Sequence, residues 1–273
     1  MTDPLSPWFI SQVPNIDLKV ALLTTDNREH FRDYHKAAPY FGAAPASLLE
    51  GFQSLGELQI HVISCVQVPL SSPLKLAENI WFHGIHVPKW GWLRSAYLGC
   101  VFATRRRLRQ IQPDLVHGQG TERDCAISAV LSGFPNVVTI HGNMAELARL
   151  FRAPPLSFHW LAARLENFTL RRTGGVFCNS LYTQSLVRPR NPKTWLVPNP
   201  LGLPFFEKLP GPLPAKTVPV FLVIGVVSPR KRQLELLDCF RELRACGCPF
   251  QVRWIGQCPD DPCLLYTSPS PRD

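Results

Sequence analysis

The nine cysteines of this chain include no Cys-x-x-Cys pair; the closest spacing is Cys246-x-Cys248. That argues against a zinc knuckle or a dense disulfide framework and suits a reducing cytosol. No stretch approaches the ~18 uninterrupted apolar residues that a membrane-spanning helix needs. The N-terminus lacks the basic start and apolar core of a secretory signal. Absent too are the Gly-x-x-x-x-Gly-Lys-Ser/Thr loop of nucleotide hydrolases and the Gly-x-Gly-x-x-Gly turn of dinucleotide oxidoreductases. There is no serine nucleophile elbow, no cysteine nucleophile pattern and no internal repeat of short period. Charged residues are only 18% of the chain and apolar ones 45%, so the chain is globular rather than disordered.

What charge there is leans one way. The formal net charge is +9 in 273 residues. Basic residues sit in short groups: Arg105, Arg106 and Arg107; Arg171 and Arg172; Arg230, Lys231 and Arg232. This balance suits phosphate-bearing ligands, an anionic membrane surface or nucleic acid, and does not choose among them. The run at Arg105 falls on an expected helix, where a solvated face is the first reading and membrane contact the second.

The chain is organised around residues 136–142, Asn-Val-Val-Thr-Ile-His-Gly. Val137, Val138 and Ile140 read as a strand buried on both faces of a parallel sheet. Such a strand delivers His141 and Gly142 at the carboxyl edge, where open α/β sheets bind ligands. Further strands are expected at 17–26, 58–66, 80–87, 114–121, 175–180 and 194–198. Helices are expected at 46–55, 93–111, 121–131 and 158–172, with a polar loop between 27 and 45. Thr121-x-x-Asp124 reads as a capping box. The alternation predicts a doubly wound parallel sheet. Residues 1–16 form an irregular lead-in, 17–199 the first α/β domain, and 200–217 a proline-rich hinge. A second β-α-β then begins at 218 with a strand to 225, a helix over 232–245 and a strand over 250–255, and runs on to 262. The last residues, 263–273, resemble a translated sequencing adapter. They are set aside as a cloning scar, which implies a natural polypeptide cut near Pro262.

Two places carry candidate chemistry. Gly225-Val-Val-Ser-Pro-Arg-Lys-Arg follows a buried strand and opens a helix, so free N–H groups and the cations Arg230 and Lys231 suit a diphosphate. The bland alternative is a solvated basic helix start. His141 stands at its strand end, and His117, at the end of the neighbouring strand, can face the same cleft. Either is as readily a packed structural histidine. No third ligand at suitable spacing accompanies the pair, so no metal is expected.

These pieces together resemble a family. Thr139-Ile140-His141-Gly142, Val197-Pro198-Asn199 and Gly225-x-x-Ser228-Pro229-Arg230-Lys231 are similar to the GT4-type glycosyltransferases of the GT-B fold, and Asp114-Leu115-Val116-His117 fits a strand of their first domain. The resemblance covers roughly residues 18–257. It implies two Rossmann-like domains facing across a cleft, the first binding the acceptor and the second a nucleotide-diphospho-sugar. His141 would then contact the donor sugar, aided by Gly142, while Lys231 and Arg230 hold the diphosphate and Asn199 lies at the hinge. Gly42 and His117 are acceptor-side candidates. The implied reaction retains anomeric configuration and uses neither metal nor cofactor. Its acceptor is a glycan or a lipid-linked group, and its setting is the cytosol, with peripheral contact at the inner membrane face. Val226 stands where the family often has arginine, and the family's Glu-x₇-Glu motif is absent, so this chain alone is expected to be nearly inactive. A non-catalytic sugar-binding module is the alternative reading. A nucleic-acid partner rests on net charge alone and is not expected.

Overall fold

The computed structural model describes residues 18–207, 211, 218–228 and 231–256. The chain divides into two compact units, Met1–Leu209 and Pro210–Asp273. In the first unit the strands are β1 (Leu18–Leu23), β2 (Leu58–Val66), β3 (Lys75–Ala77), β4 (Ile80–His86), β5 (Leu115–Gln119), β6 (Asn136–Ile140), β7 (Val176–Cys178) and β8 (Thr194–Leu196). They form one sheet in the order β3-β4-β2-β1-β5-β6-β7-β8. Every pairing is parallel except that of the short edge strand β3 with β4. The chain runs outward from β1 to β4, then returns to β5 on the other side of β1. The topological switch point therefore lies between β1 and β5, and the crevice beyond their carboxyl ends is where such sheets take ligands.

Successive residues of a strand face opposite sides, so a strand covered on both sides reads as a continuous apolar run. β1 shows this directly. Val20 and Leu22 pack with Ile60, Val62, Ile80 and Phe82 against Leu49 of the helix α2, whose chain-order predecessor is the short α1; these span Asn27–Phe31 (α1) and Ala43–Gln53 (α2). Ala21 and Leu23 turn to the opposite face with Ile63 and Val116. That face is closed by Leu108 of α3 (Leu98–Ile111) and by Cys125 and Ala129 of α4 (Asp124–Val130). Each fully buried Leu or Ile here stabilises the fold by roughly 1.5–3 kcal/mol. The helices α5 (Met144–Leu150), α6 (Phe158–Leu170) and α7 (Leu181–Val187) follow β6 and β7.

Several expected elements differ. The loop over 27–45 holds α1, capped by Asp26, whose carboxylate accepts from the Arg28 N–H. Helix α2 starts at Ala43 rather than 46, because Pro45 sits within its first turn, where its missing N–H costs nothing. The expected helix over 93–111 is a 3₁₀ turn at Leu93–Ser95 followed by α3, separated by the left-handed residues Ala96 and Tyr97. The capping box at Thr121 does not form: α4 begins at Asp124, its N-cap is Arg123, and the Thr121 hydroxyl donates elsewhere. Short helices α5 and α7 were not expected, although Asn143 and Ser180 cap them through the backbone N–H groups of Glu146 and Thr183. The expected hinge over 200–217 is partly folded in its described portion. A short helix α8 (Pro204–Glu207) follows Leu203, whose N–H donates to Glu50 of α2 at 3.1 Å.

The second unit is a single β-α-β: β9 (Val220–Ile224), α9 (Gln233–Ala245) and β10 (Gln251–Ile255), with the two strands parallel. Phe240 of α9 packs on Phe221, Phe250 and Trp254. Among the described residues no helix is long and apolar enough to cross a membrane.

Candidate functional site

Parallel pairing of β5 with β6 matches His117 to Val137 and Gln119 to Thr139. It brings the segments beyond both strands, 120–122 and 141–143, to one stretch of the carboxyl edge beside the switch point. There His141 Nε2 lies 2.8 Å from Gln119 Oε1. An amide oxygen only accepts, so Nε2 carries the proton and the ring's Nδ1 keeps its lone pair. The Gln119 amide nitrogen in turn lies 3.1 Å from His117 Nε2, which also takes a 2.7 Å hydrogen bond from the Thr139 hydroxyl. His117 is thus an acceptor at Nε2. Burial and then the charge of nearby His141 push its pKa down to about 4, so it is neutral at ordinary pH. Burial lowers His141 as well, opposed by the Asn199 side chain, which favours its protonated form.

The backbone around His141 is fixed by carboxylates that the sequence reading did not single out. Glu122 Oε1 accepts from the Gly142 N–H at 2.9 Å. Burial raises the Glu122 pKa, against the hydrogen bonds it receives from backbone N–H groups. Gly120 has φ +84°, and a Cβ there would collide with the Glu122 carboxylate. At Gly142 a Cβ would lie 3.0 Å from Glu122 Oε1. Behind this layer Glu166 of α6 is fully buried. It accepts from the Thr121 hydroxyl at 2.9 Å, from the Met144 and Ala145 N–H groups at 2.7 and 3.2 Å, and from Arg190 Nη1 at 3.0 Å. One carboxylate therefore ties the loop after β5, the start of α5 and the turn after α7 together.

The expected site residues are distributed as follows. His141, Gly142, His117 and Asn199 meet in the first unit, with His117 buried behind Gln119 rather than open to the cleft. Gly42 lies at the N-cap of α2, where its φ and ψ suit any residue and a Cβ would meet only Pro45 at 3.8 Å. Lys231 lies in the second unit, exposed, with its Cε 3.3 Å from where a Cβ on Gly225 (φ +140°) would be. That loop is held by Gln233, which accepts from the Ser228 N–H and donates to the Val226 carbonyl. Arg230 lies outside the described residues. Gln119, Glu122 and Glu166 were missed. The first two follow the apolar part of β5 at the same edge as His141, and that position is the available signal. Among the described residues one group has metal-holding geometry: Cys65, Cys100 and Asp124, with ligand atoms within 4.8 Å of one another. All three are buried in the core, where contact with Cys100 and then burial push the Cys65 thiol up and burial raises Asp124.

The family model described as Glycosyltransferase Family 4 matches residues 46–202. Among solved structures, sucrose-phosphate synthase from Thermosynechococcus elongatus is similar with a TM-score of 0.53 at 13% identity, over 88% of this chain and 70% of that one. The S. aureus MnaA–UDP co-structure follows at 0.51 and 9%, over 91% of this chain and 64% of that one. At such identities the likeness is one of fold: the Rossmann-like α/β architecture of the GT-B class. The chain spans about two thirds of the length of these neighbours. None of the curated proteins matches it in sequence.

Proposed function

The chain belongs to glycosyltransferase family 4, and from that premise we propose that the protein moves a sugar from a nucleotide-diphospho-sugar to a glycan or lipid-linked acceptor with retention of configuration. The observation that carries this reading is His141. Its ring sits at the carboxyl edge beside the switch point, with Nε2–H donating to Gln119 and the Asn199 side chain beside the ring, so a ligand would be met through Nδ1 in exchange for Asn199.

Breaking a sugar–phosphate bond builds positive charge on the anomeric carbon and negative charge on the departing diphosphate. A His141 kept neutral by burial does not repel that carbon, and its lone pair can hold a sugar hydroxyl. Gly142, its N–H taken by Glu122, lets that carboxylate close on the backbone and hold the ring of His141 in place. The departing charge falls to Lys231, at the loop before α9, with Arg230 beside it in sequence. Cations and helix N–H groups then do without a metal what a divalent ion does elsewhere. Asn199 adjusts the protonation of His141.

The S. aureus neighbour holds UDP, so UDP and UDP-sugars are the first ligands to try. Equilibrium dialysis of the 273-residue chain tests the diphosphate role. Loss of one charged hydrogen bond of about 1.5–3 kcal/mol predicts that Lys231→Ala weakens UDP binding by roughly tenfold or more. Equal UDP affinity in wild type and variant contradicts the assignment.

A further inference from the structure

Between Glu78 and Asp114 the sequence holds six Lys or Arg residues and no Asp or Glu. The structure gathers this stretch on one side of the first unit. β4 ends at the carboxyl edge with His86, and the loop 87–97 then leads into α3. Trp92 anchors the loop: it is buried, its Nε1 donates to the Val87 carbonyl at 2.9 Å, and Tyr97 meets it edge-on at 6.2 Å. The loop lies so close on the start of α3 that a Cβ on Gly99 would be 2.5 Å from the Gly91 Cα. The neighbour of that contact, Trp90, is 74% exposed, and on α3 Phe102 is 65% and Leu98 46% exposed.

Helix geometry puts Leu98, Phe102, Arg106 and Arg109 on one face, at spacings of four, four and three. The apolar pair lies at the end nearest the loop and the arginines at the other. Between loop and helix runs a groove of about 520 Å³ lined by Val87, Pro88, Trp90, Leu98, Phe102 and Arg106. Large apolar side chains left open to water beside cations, with no carboxylate among them, match one environment closely. The interfacial layer of an anionic bilayer takes Trp, Phe and Leu into its apolar side and arginine heads at its phosphates. A nucleic acid would engage the cations and leave the Leu98–Pro88 side of the groove uncovered.

We propose that the loop 87–97 and the α3 face bearing Leu98, Phe102, Arg106 and Arg109 dock the protein on an anionic lipid surface. Trp90, Leu98 and Phe102 enter the interface, and the arginines meet the headgroup phosphates. The surface starts at the same sheet edge as His141, four strand spacings away, or about 19 Å along the sheet. The docking does not depend on what His141 binds.

Vesicle co-sedimentation of the full chain tests it, comparing phosphatidylcholine alone with a mixture containing roughly one third phosphatidylglycerol. The chain is expected on the anionic vesicles and not on the neutral ones, with release as salt is raised. At about a fivefold effect per arginine near the surface, Arg106→Gln with Arg109→Gln weakens binding about 30-fold. Trp90→Ser with Phe102→Ser weakens it by at least about tenfold. These side chains are exposed, and unchanged circular dichroism is the check that the variants fold. Equal binding to both vesicle types, or binding unmoved by either pair of substitutions, overturns the proposal. So does tighter capture by duplex DNA than by anionic vesicles with the same arginine dependence.

Discussion

Acid should loosen the first unit through His117, and the effect can be sized. In the unfolded chain this imidazole titrates near its ordinary 6.5; in the fold it titrates at about 4, because it is buried and faces His141. A group whose folded pKa is depressed below its unfolded value binds protons first in the unfolded state. Its contribution is therefore fully present above pH 6.5 and is lost as the pH falls from 6.5 toward 4. Over that window the loss is about 3 kcal/mol, a large share of the net stability of an ordinary domain. The perturbation is His117→Gln, whose amide can still meet Thr139 and Gln119 but does not titrate. Urea denaturation followed by circular dichroism at pH 7, 5.5 and 4 gives the comparison. The wild type is expected to lose about 3 kcal/mol more than the variant between pH 7 and 4. His83, also held down by burial and then by His61, adds to the acid loss in both proteins and cancels in the difference. Parallel pH slopes for the two proteins would refute the reasoning.

Two further outcomes follow from the carboxylates behind His141. Glu166→Gln strands the mostly buried Arg190 and weakens the start of α5, so a loss of about 3–5 kcal/mol in chemical denaturation is expected; a loss under about 1 kcal/mol would show that Arg190 finds another partner. Gly120→Ala forces an L-residue to φ +84° and drives its Cβ into Glu122, costing at least about 1–2 kcal/mol. Gly142→Ala, which meets the same carboxylate without that backbone demand, should cost less, and a reversed order of midpoints in urea would contradict the geometry.

Much of the sheet was legible because its strands are apolar on both faces. β2 runs over Leu58–Val66, residue for residue as its apolar run predicts, and the turn to β6 leaves His141 at the edge as expected. Five-residue α1 and three-residue β3 escaped because each spans fewer than two periods of its own pattern, too few for a repeat to show. The capping box at Thr121 failed for a tertiary reason: a hydroxyl free to cap α4 is instead drawn to Glu166, a residue 45 positions away. Glu166 itself reads in sequence as one polar position on an amphipathic helix. Only folding brings Thr121, Met144 and Arg190 to it. His117 and His141 were both named from their strand ends, but the group that couples them, Gln119, carries no charge and gave no titratable signal. From sequence the basic run at Arg105 reads as a solvated face first and a membrane contact second. What the run could not show is that Trp90 and Phe102 stand exposed beside it.

On the proposed reaction, His141 meets the sugar of the donor. Nuclear magnetic resonance of the chain labelled at histidine nitrogens reads this directly, as UDP and then a UDP-sugar are titrated in. The His141 Nδ1 resonance is expected to move saturably with the UDP-sugar and much less with UDP, while Nε2 stays bonded to Gln119. A His141 signal that stays still while the UDP-sugar is shown to bind would contradict that contact.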